Sequence, residues 1–270
     1  MTPAITKFVW MPKFVLIIFL FLLSFSLKAQ TWEFGGGVGA AGYMGDLNPS
    51  DPIKPSGPSF GLFAKYNFNG YLALRANYSF GIISAADSTS KNPQFRQRNL
   101  SFTTTLNEVA VMAEFNFMRY IPSVTNSKYT PYFYLGAAIV TYTPTTVYQG
   151  QKYDLRSLET EGQKKPYPNT AFSIPYGAGL KYNVSGAVTL GVEIGYRNPN
   201  TDYLDDVGGY YAFSGHNTLQ EQLSDRSGEK NGVYIGSPGT QRGDLNPRDT
   251  YFFTQFTISY TFISQKCYFQ

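Results

Sequence analysis

The chain of 270 residues is short of the residue types on which much soluble chemistry rests. It has a single cysteine, Cys267, which excludes an internal disulfide framework. It has a single histidine, His216, and no nucleotide-binding or zinc motif. Only 15% of the residues are charged, against about 25% in ordinary soluble domains. Past the first thirty residues no apolar run approaches the roughly 20 residues of a spanning helix, which excludes a helical membrane bundle. What is plentiful is aromatic: 22 Tyr and 22 Phe, with aromatics making 17% of the chain. Disordered chains are poor in aromatics and rich in charge, so disorder is excluded too. A rigid, β-rich fold remains.

The amino terminus reads as an export signal. Lys7 and Lys13 precede an apolar run from Phe14 to Leu27, and Lys28-Ala29-Gln30 follows. A basic start, a short apolar stretch and a small residue at the exit make residues 1–29 a secretory signal peptide. An uncleaved anchor helix is the alternative, disfavoured by the shortness of the run. Removing the segment takes three lysines and no acids, leaving 19 basic against 18 acidic residues. So nearly neutral a chain gives no reason to invoke nucleic acid.

The mature chain, 30–270, alternates at period two, the pattern of a strand with two unlike faces. In Val188–Tyr196 one face carries Val188, Leu190, Val192, Ile194 and Tyr196, the other Thr189, Gly191, Glu193 and Gly195. Segment 174–184 repeats the pattern, and Ser185-Gly186-Ala187 joins the two as a hairpin. Six further segments match: 32–43, 60–68, 72–82, 108–117, 130–142 and 252–262, the fifth with a less distinct apolar face. That predicts eight strands. The connections alternate between long (44–58, 84–105, 143–172, 197–250) and short (69–71, 118–129, 185–187). An eight-stranded antiparallel transmembrane β-barrel with long extracellular loops predicts this alternation. A secreted sandwich or lipocalin-like barrel is the soluble alternative, and its apolar face would point inward.

Eight strands leave an interior just wide enough for side chains. The face opposite the apolar one carries Glu33, Lys65, Arg75, Glu108, Glu114, Lys181, Glu193 and Arg197, four charges of each sign. Buried charges must be paired or hydrogen-bonded, so these eight are expected to form an ion network plugging the lumen. A diffusion pore is then disfavoured. Catalysis is not expected either. A nucleophile needs an adjacent base, and His216 lies in a loop that reads as solvated, with no strand-borne serine placed beside it. No cofactor is called for. Asp202, Asp205 and Asp206 could together hold a hard cation such as calcium, or merely cap a loop turn; their spacing does not match a twelve-residue calcium loop.

The long loops carry the most distinctive sequence. Gly45-Asp-Leu-Asn-Pro49 recurs as Gly243-Asp-Leu-Asn-Pro247, in the first and last of them. Between lie Arg98-Asn-Leu-Ser-Phe102, Thr160-Glu-Gly-Gln163, Thr201-Asp-Tyr-Leu-Asp-Asp-Val207, Leu223-Ser-Asp-Arg-Ser227 and Gln241-Arg-Gly-Asp244. In these motifs and their order the chain resembles the PorG family, small outer-membrane barrels of the type IX secretion system. The resemblance runs from Trp32 to the final strand. It implies a barrel embedded in outer-membrane lipid, working with a periplasmic ring built from a lipoprotein and its partner. The implied role is assembly and anchoring in protein export.

Three functional classes follow: a secretion-machine subunit, a general structural or adhesive barrel, and a lipid-modifying enzyme. The first expects both termini in the periplasm. There Cys267 would be an unpaired thiol in an oxidising compartment, placed to link the barrel to a ring component or to do nothing.

Overall fold

The structure is a computed structural model that describes residues 31–122, 125, 127–244 and 246–262. Residues 1–29, read above as a signal peptide, and Cys267 lie outside the described residues. Eight long strands run antiparallel: β1 (Thr31–Met44), β2 (Pro55–Asn67), β3 (Leu72–Ala86), β4 (Ser101–Asn116), β5 (Tyr129–Tyr148), β7 (Thr170–Ser185), β8 (Val188–Pro199) and β9 (Thr250–Phe262). A short ninth, β6 (Gln151–Asp154), folds back on the far end of β5. Gln149 and Gly150, both at positive φ, make the tight turn between them. Each long strand pairs with the next, and β1 pairs with β9 from Trp32↔Phe262 to Met44↔Thr250. The eight strands therefore close into a barrel with no free edge.

Which face points inward separates the two barrel classes. Val38 and Phe256 are 63% and 69% exposed on the outside, whereas Glu108 and Glu114 are 0% exposed within. An apolar exterior around a polar interior is the arrangement of a barrel surrounded by lipid. The soluble alternative requires the reverse.

The outer belt has definite limits. On β4 and just beyond it, Val109, Val111, Ala113, Phe115 and Phe117 face outward. At about 3.3 Å per residue and a tilt of about 40°, that stretch stands on the order of 23 Å tall, close to the hydrocarbon thickness such barrels cross. Around the short-turn end the outward rings cluster. Trp32 meets Tyr66 with centroids 5.1 Å apart, and Phe115, Phe117 and Phe133 lie 5.4–5.8 Å from one another. Towards the long-loop end the outward residues of β4 and β5 turn polar: Thr103, Thr105 and Asn107, then Thr141, Thr143 and Thr145. The sheet continues there beyond the apolar belt.

That continuation corrects the strand limits expected from the sequence. Periodicity placed the fourth strand at 108–117 and the fifth at 130–142. The strands run from Ser101 and on to Tyr148, because ladder pairing persists where the outward face has become threonine. The connections shorten to 45–54, 87–100, 149–169 and 200–249, and the last three contain short helical turns or β6.

Candidate functional site

The inward side chains fill the barrel in three layers. Nearest the short turns, Lys65 Nζ lies 3.2 Å from Glu33 and 3.2 Å from Glu114. Lys181 pairs with Glu114 and donates to Asn116 at 3.0 Å, while Ser259 donates to Glu33 at 2.7 Å. In the middle layer Arg75 grips Glu193 with two bonds, of 2.7 and 3.0 Å. Tyr132 donates to the same carboxylate at 2.5 Å. In the upper layer Arg197 lies 3.3 Å from Glu108, and Tyr251 donates to Glu108 at 2.6 Å. All eight charges called from the sequence are buried inside, and each has an opposite charge within ion-pair reach. Aromatic faces fill the spaces between them. The Arg75 guanidinium lies 4.2 Å from the centre of Phe63, and that of Arg197 lies 4.5 Å from Phe253.

Sequence reasoning missed the lumen tyrosines. Tyr132 and Tyr134 point inward from β5, so this strand's alternation has aromatic residues on both faces. The glycines opposite them were the available signal. A Cβ on Gly195 would stand 1.8 Å from Tyr134 Oη, and one on Gly179 would stand 2.6 Å from the Tyr132 ring. The glycines thus make room for rings as well as for the long ionic side chains.

Above the upper layer the four long connections fold together into a cap. Arg98 clasps Asp87 at 2.7 and 2.8 Å and donates to the carbonyls of Asp46 (2.9 Å) and Arg242 (2.6 Å). One side chain thereby ties the first, second and fourth connections. Arg242 ties the third: it donates to Glu161 at 3.0 Å and to the Asp206 carbonyl at 2.7 Å. Thr160 and Tyr167 donate to the Asp206 carboxylate at 2.5 and 2.7 Å. Leu47, Leu204, Val207 and Leu223 are buried beneath this polar lattice with Tyr43 and Phe253. The cap is a packed extension of the barrel core.

The three aspartates considered together in sequence part company here. Asp205 accepts from Tyr43 at 2.5 Å and from the Val207 amide at 2.9 Å. Asp206 belongs to the Arg242 lattice, and burial pushes its carboxyl up to about 6 although Arg242, Thr160 and Tyr167 pull it down. Asp202 turns to a different set. One carboxylate oxygen from each of Asp46, Asp202 and Asp249 lie within 4.8 Å of one another. Burial raises all three, Asp46 and Asp202 to about 7. Sequence distance hid this grouping, since the three residues stand after β1, after β8 and before β9.

His216 is less solvated than expected. Its ring stacks on Tyr234 with centroids 3.4 Å apart, its Nε2 lies 3.6 Å from Asp225, and its side chain is 19% exposed. Its hydrogen-bonding neighbourhood is a loop clasp, with Gln222 donating to its carbonyl at 3.1 Å.

A family model described as "Domain of unknown function (DUF6089)" matches residues 12–270. The chain belongs to the DUF6089 family. No curated protein matches it significantly. Among solved structures it is similar to Neisserial surface protein A, at 14% identity and a TM-score of 0.39, covering 87% of this chain and 98% of that one. It is also similar to OprG of Pseudomonas aeruginosa, at 11% identity and a TM-score of 0.43, over 88% of this chain and 98% of the other. Ail, the attachment invasion locus protein of Yersinia pestis, gives 14% identity and a TM-score of 0.39, with 87% and 100% covered. In this DUF6089 chain the loop motifs noted in the sequence interlock in the cap. Arg98, Glu161, Asp206 and Arg242 each come from a different one of them.

Proposed function

We propose that this protein is an outer-membrane barrel of the type IX secretion machinery. It would anchor or assemble a periplasmic ring made of a lipoprotein and its partner. The observation that supports an anchoring role is the lumen. Three layers of paired charges and rings fill the barrel beneath a packed cap, leaving the molecule its two ends and its lipid face as working surfaces. The type IX assignment rests on the resemblance of the loop motifs to the PorG family. In this reading the short turns and both termini face the periplasm, the cap faces the medium, and the protein performs no catalysis. Cys267 would then lie on the ring side.

Deleting the gene and restoring it should abolish and recover secretion of type IX substrates. Detergent extraction of the tagged protein should carry ring components with it. Normal secretion without the protein would overturn the assignment and leave a general structural or adhesive barrel, whose working surface would be the cap. Cysteines placed at Asn231 in the fourth connection should label on intact cells, and those at Gly186 should not. Non-reducing gels of wild type beside Cys267→Ser test the covalent form of the ring contact, which requires a partner sulfur within disulfide geometry.

A further inference from the structure

The repeated Gly-Asp-Leu-Asn-Pro motif gives the structure its least balanced cluster of charge. Its two copies, on the first and last long connections, meet over the barrel mouth, where the Asp244 amide donates to Asp46 Oδ1. Glycine begins each copy because side chains crowd in at that point. A Cβ on Gly45 would stand 2.0 Å from Asp249 Oδ1, and one on Gly243 would stand 2.7 Å from Asp46 Oδ1. Asp202 and Asp205 complete a group of five carboxylates with Asp46, Asp244 and Asp249. Among the described residues none of the five has a lysine or arginine within ion-pair distance. The nearby arginines are committed elsewhere: Arg98 to Asp87, and Arg242 to Glu161 and Asp206.

We propose that Asp46, Asp202 and Asp249 bind a calcium ion that cross-links the mouth of the barrel. Two independent features point to a ligand. The first is the geometry: the three ligand oxygens lie within 4.8 Å of one another, the span open to oxygens at about 2.4 Å around one calcium ion. Magnesium dehydrates reluctantly and usually keeps several waters, so a site made of protein carboxylates suits calcium better. The second is an orphan. Asp46 is 1% exposed, yet among the described residues its Oδ2 has no hydrogen-bond partner. A buried carboxylate oxygen without a donor is costly, and a cation at the junction with Asp202 and Asp249 would satisfy it. Asp202 likewise accepts no hydrogen bond among the described residues, so its carboxylate is free to ligate. Asp249 accepts from Tyr43 at 3.1 Å and from the Leu204 amide at 2.9 Å, and a carboxylate oxygen that accepts one hydrogen bond keeps a lone pair for a cation. Asp205, held by Tyr43 at 2.5 Å and by the Val207 amide, lies outside the group of three.

The ion would join three points that the chain reaches separately: the end of β1, the exit of β8 and the entry to β9. Binding in this way would lock the first connection to the fourth directly above the upper lumen layer. Extracellular calcium modules with few carboxylates work at about 0.1–1 mM, and this site belongs in that range.

The test uses the full mature protein refolded in detergent, with equilibrium dialysis against radioactive calcium. Asp202→Asn is the main variant. It removes one charge from a half-buried residue that accepts no hydrogen bond, and a heat-shifted band on gels checks its folding. Asp51→Asn, an exposed carboxylate outside the cluster, is the control. Wild type and Asp51→Asn should each take up one calcium per chain, with affinity roughly tenfold or more weaker in Asp202→Asn and Asp46→Asn. No saturable uptake at about 5 mM calcium, or uptake unaltered in folded Asp202→Asn, would overturn the proposal.

Discussion

At the scale of single residues the barrel is governed by what cannot be left unpaired. Arg75 and Glu193 are buried together, so Arg75→Met should leave a carboxylate with Tyr132 as its one side-chain donor among the described residues. Breaking such a pair costs about 3–5 kcal/mol, whereas replacing both partners by apolar residues is often tolerated. Urea unfolding in lipid vesicles should show the loss in Arg75→Met and most of it regained in Arg75→Met/Glu193→Leu. A second residue-scale case is steric. Gly195→Ala would push a Cβ into Tyr134 Oη, a buried hydroxyl that has no hydrogen-bond partner among the described residues. Tyr134→Phe alone should therefore be close to neutral, and it should recover part of the loss in Gly195→Ala. The same unfolding measurement reads both. Charged lumen residues were legible in the sequence because alternation placed them opposite an apolar face. The lumen tyrosines were not, because a ring with a hydroxyl suits either lipid or a polar interior.

At the scale of elements the strands and the connections obey different rules. Apolar alternation located all eight strands but ended several of them early. It reports lipid contact, and the ladder carries on into water where Thr103, Thr105, Thr141 and Thr143 face outward. The connections offered no periodicity at all, yet they are ordered by side chains that bind backbone. Arg98 is the plainest case, bonding Asp87 and two carbonyls from two other connections. Arg98→Ala should open the cap to protease while leaving the heat-shifted migration of the barrel intact. Asp206 adds a pH dependence. Its value of about 6 in the folded protein lies above the ~3.9 of an unfolded aspartate. Folding therefore binds a proton between those limits, and this group's contribution to cap stability is present below pH ~4 and lost as pH rises through about 6. Arg242, Glu161, Thr160 and Tyr167 are the groups around it. Protease protection of the cap should fall over that range in wild type and fall less in Asp206→Asn.

At the scale of the whole molecule, closure and orientation decide the reading. A closed barrel whose exposed residues are Val, Leu, Ile and Phe, and whose buried ones are Glu, Lys and Arg, has its solvent outside and its salt inside. That much follows from alternation, strand number and charge count. The cap does not follow from them. Asp46, Asp202 and Asp249 meet only once β1, β8 and β9 are neighbours, and no local spacing encodes that meeting. The central claim is that the lumen is a filled, ion-paired core, as the proposed anchoring role requires and a conduit would not allow. Recording from the purified protein in a planar lipid bilayer tests this most directly. The account predicts no steady current at any moderate holding potential, in wild type and in Arg98→Ala alike, because the plug lies in the barrel below the cap. A stable, reproducible open-channel conductance from folded wild-type protein would contradict it.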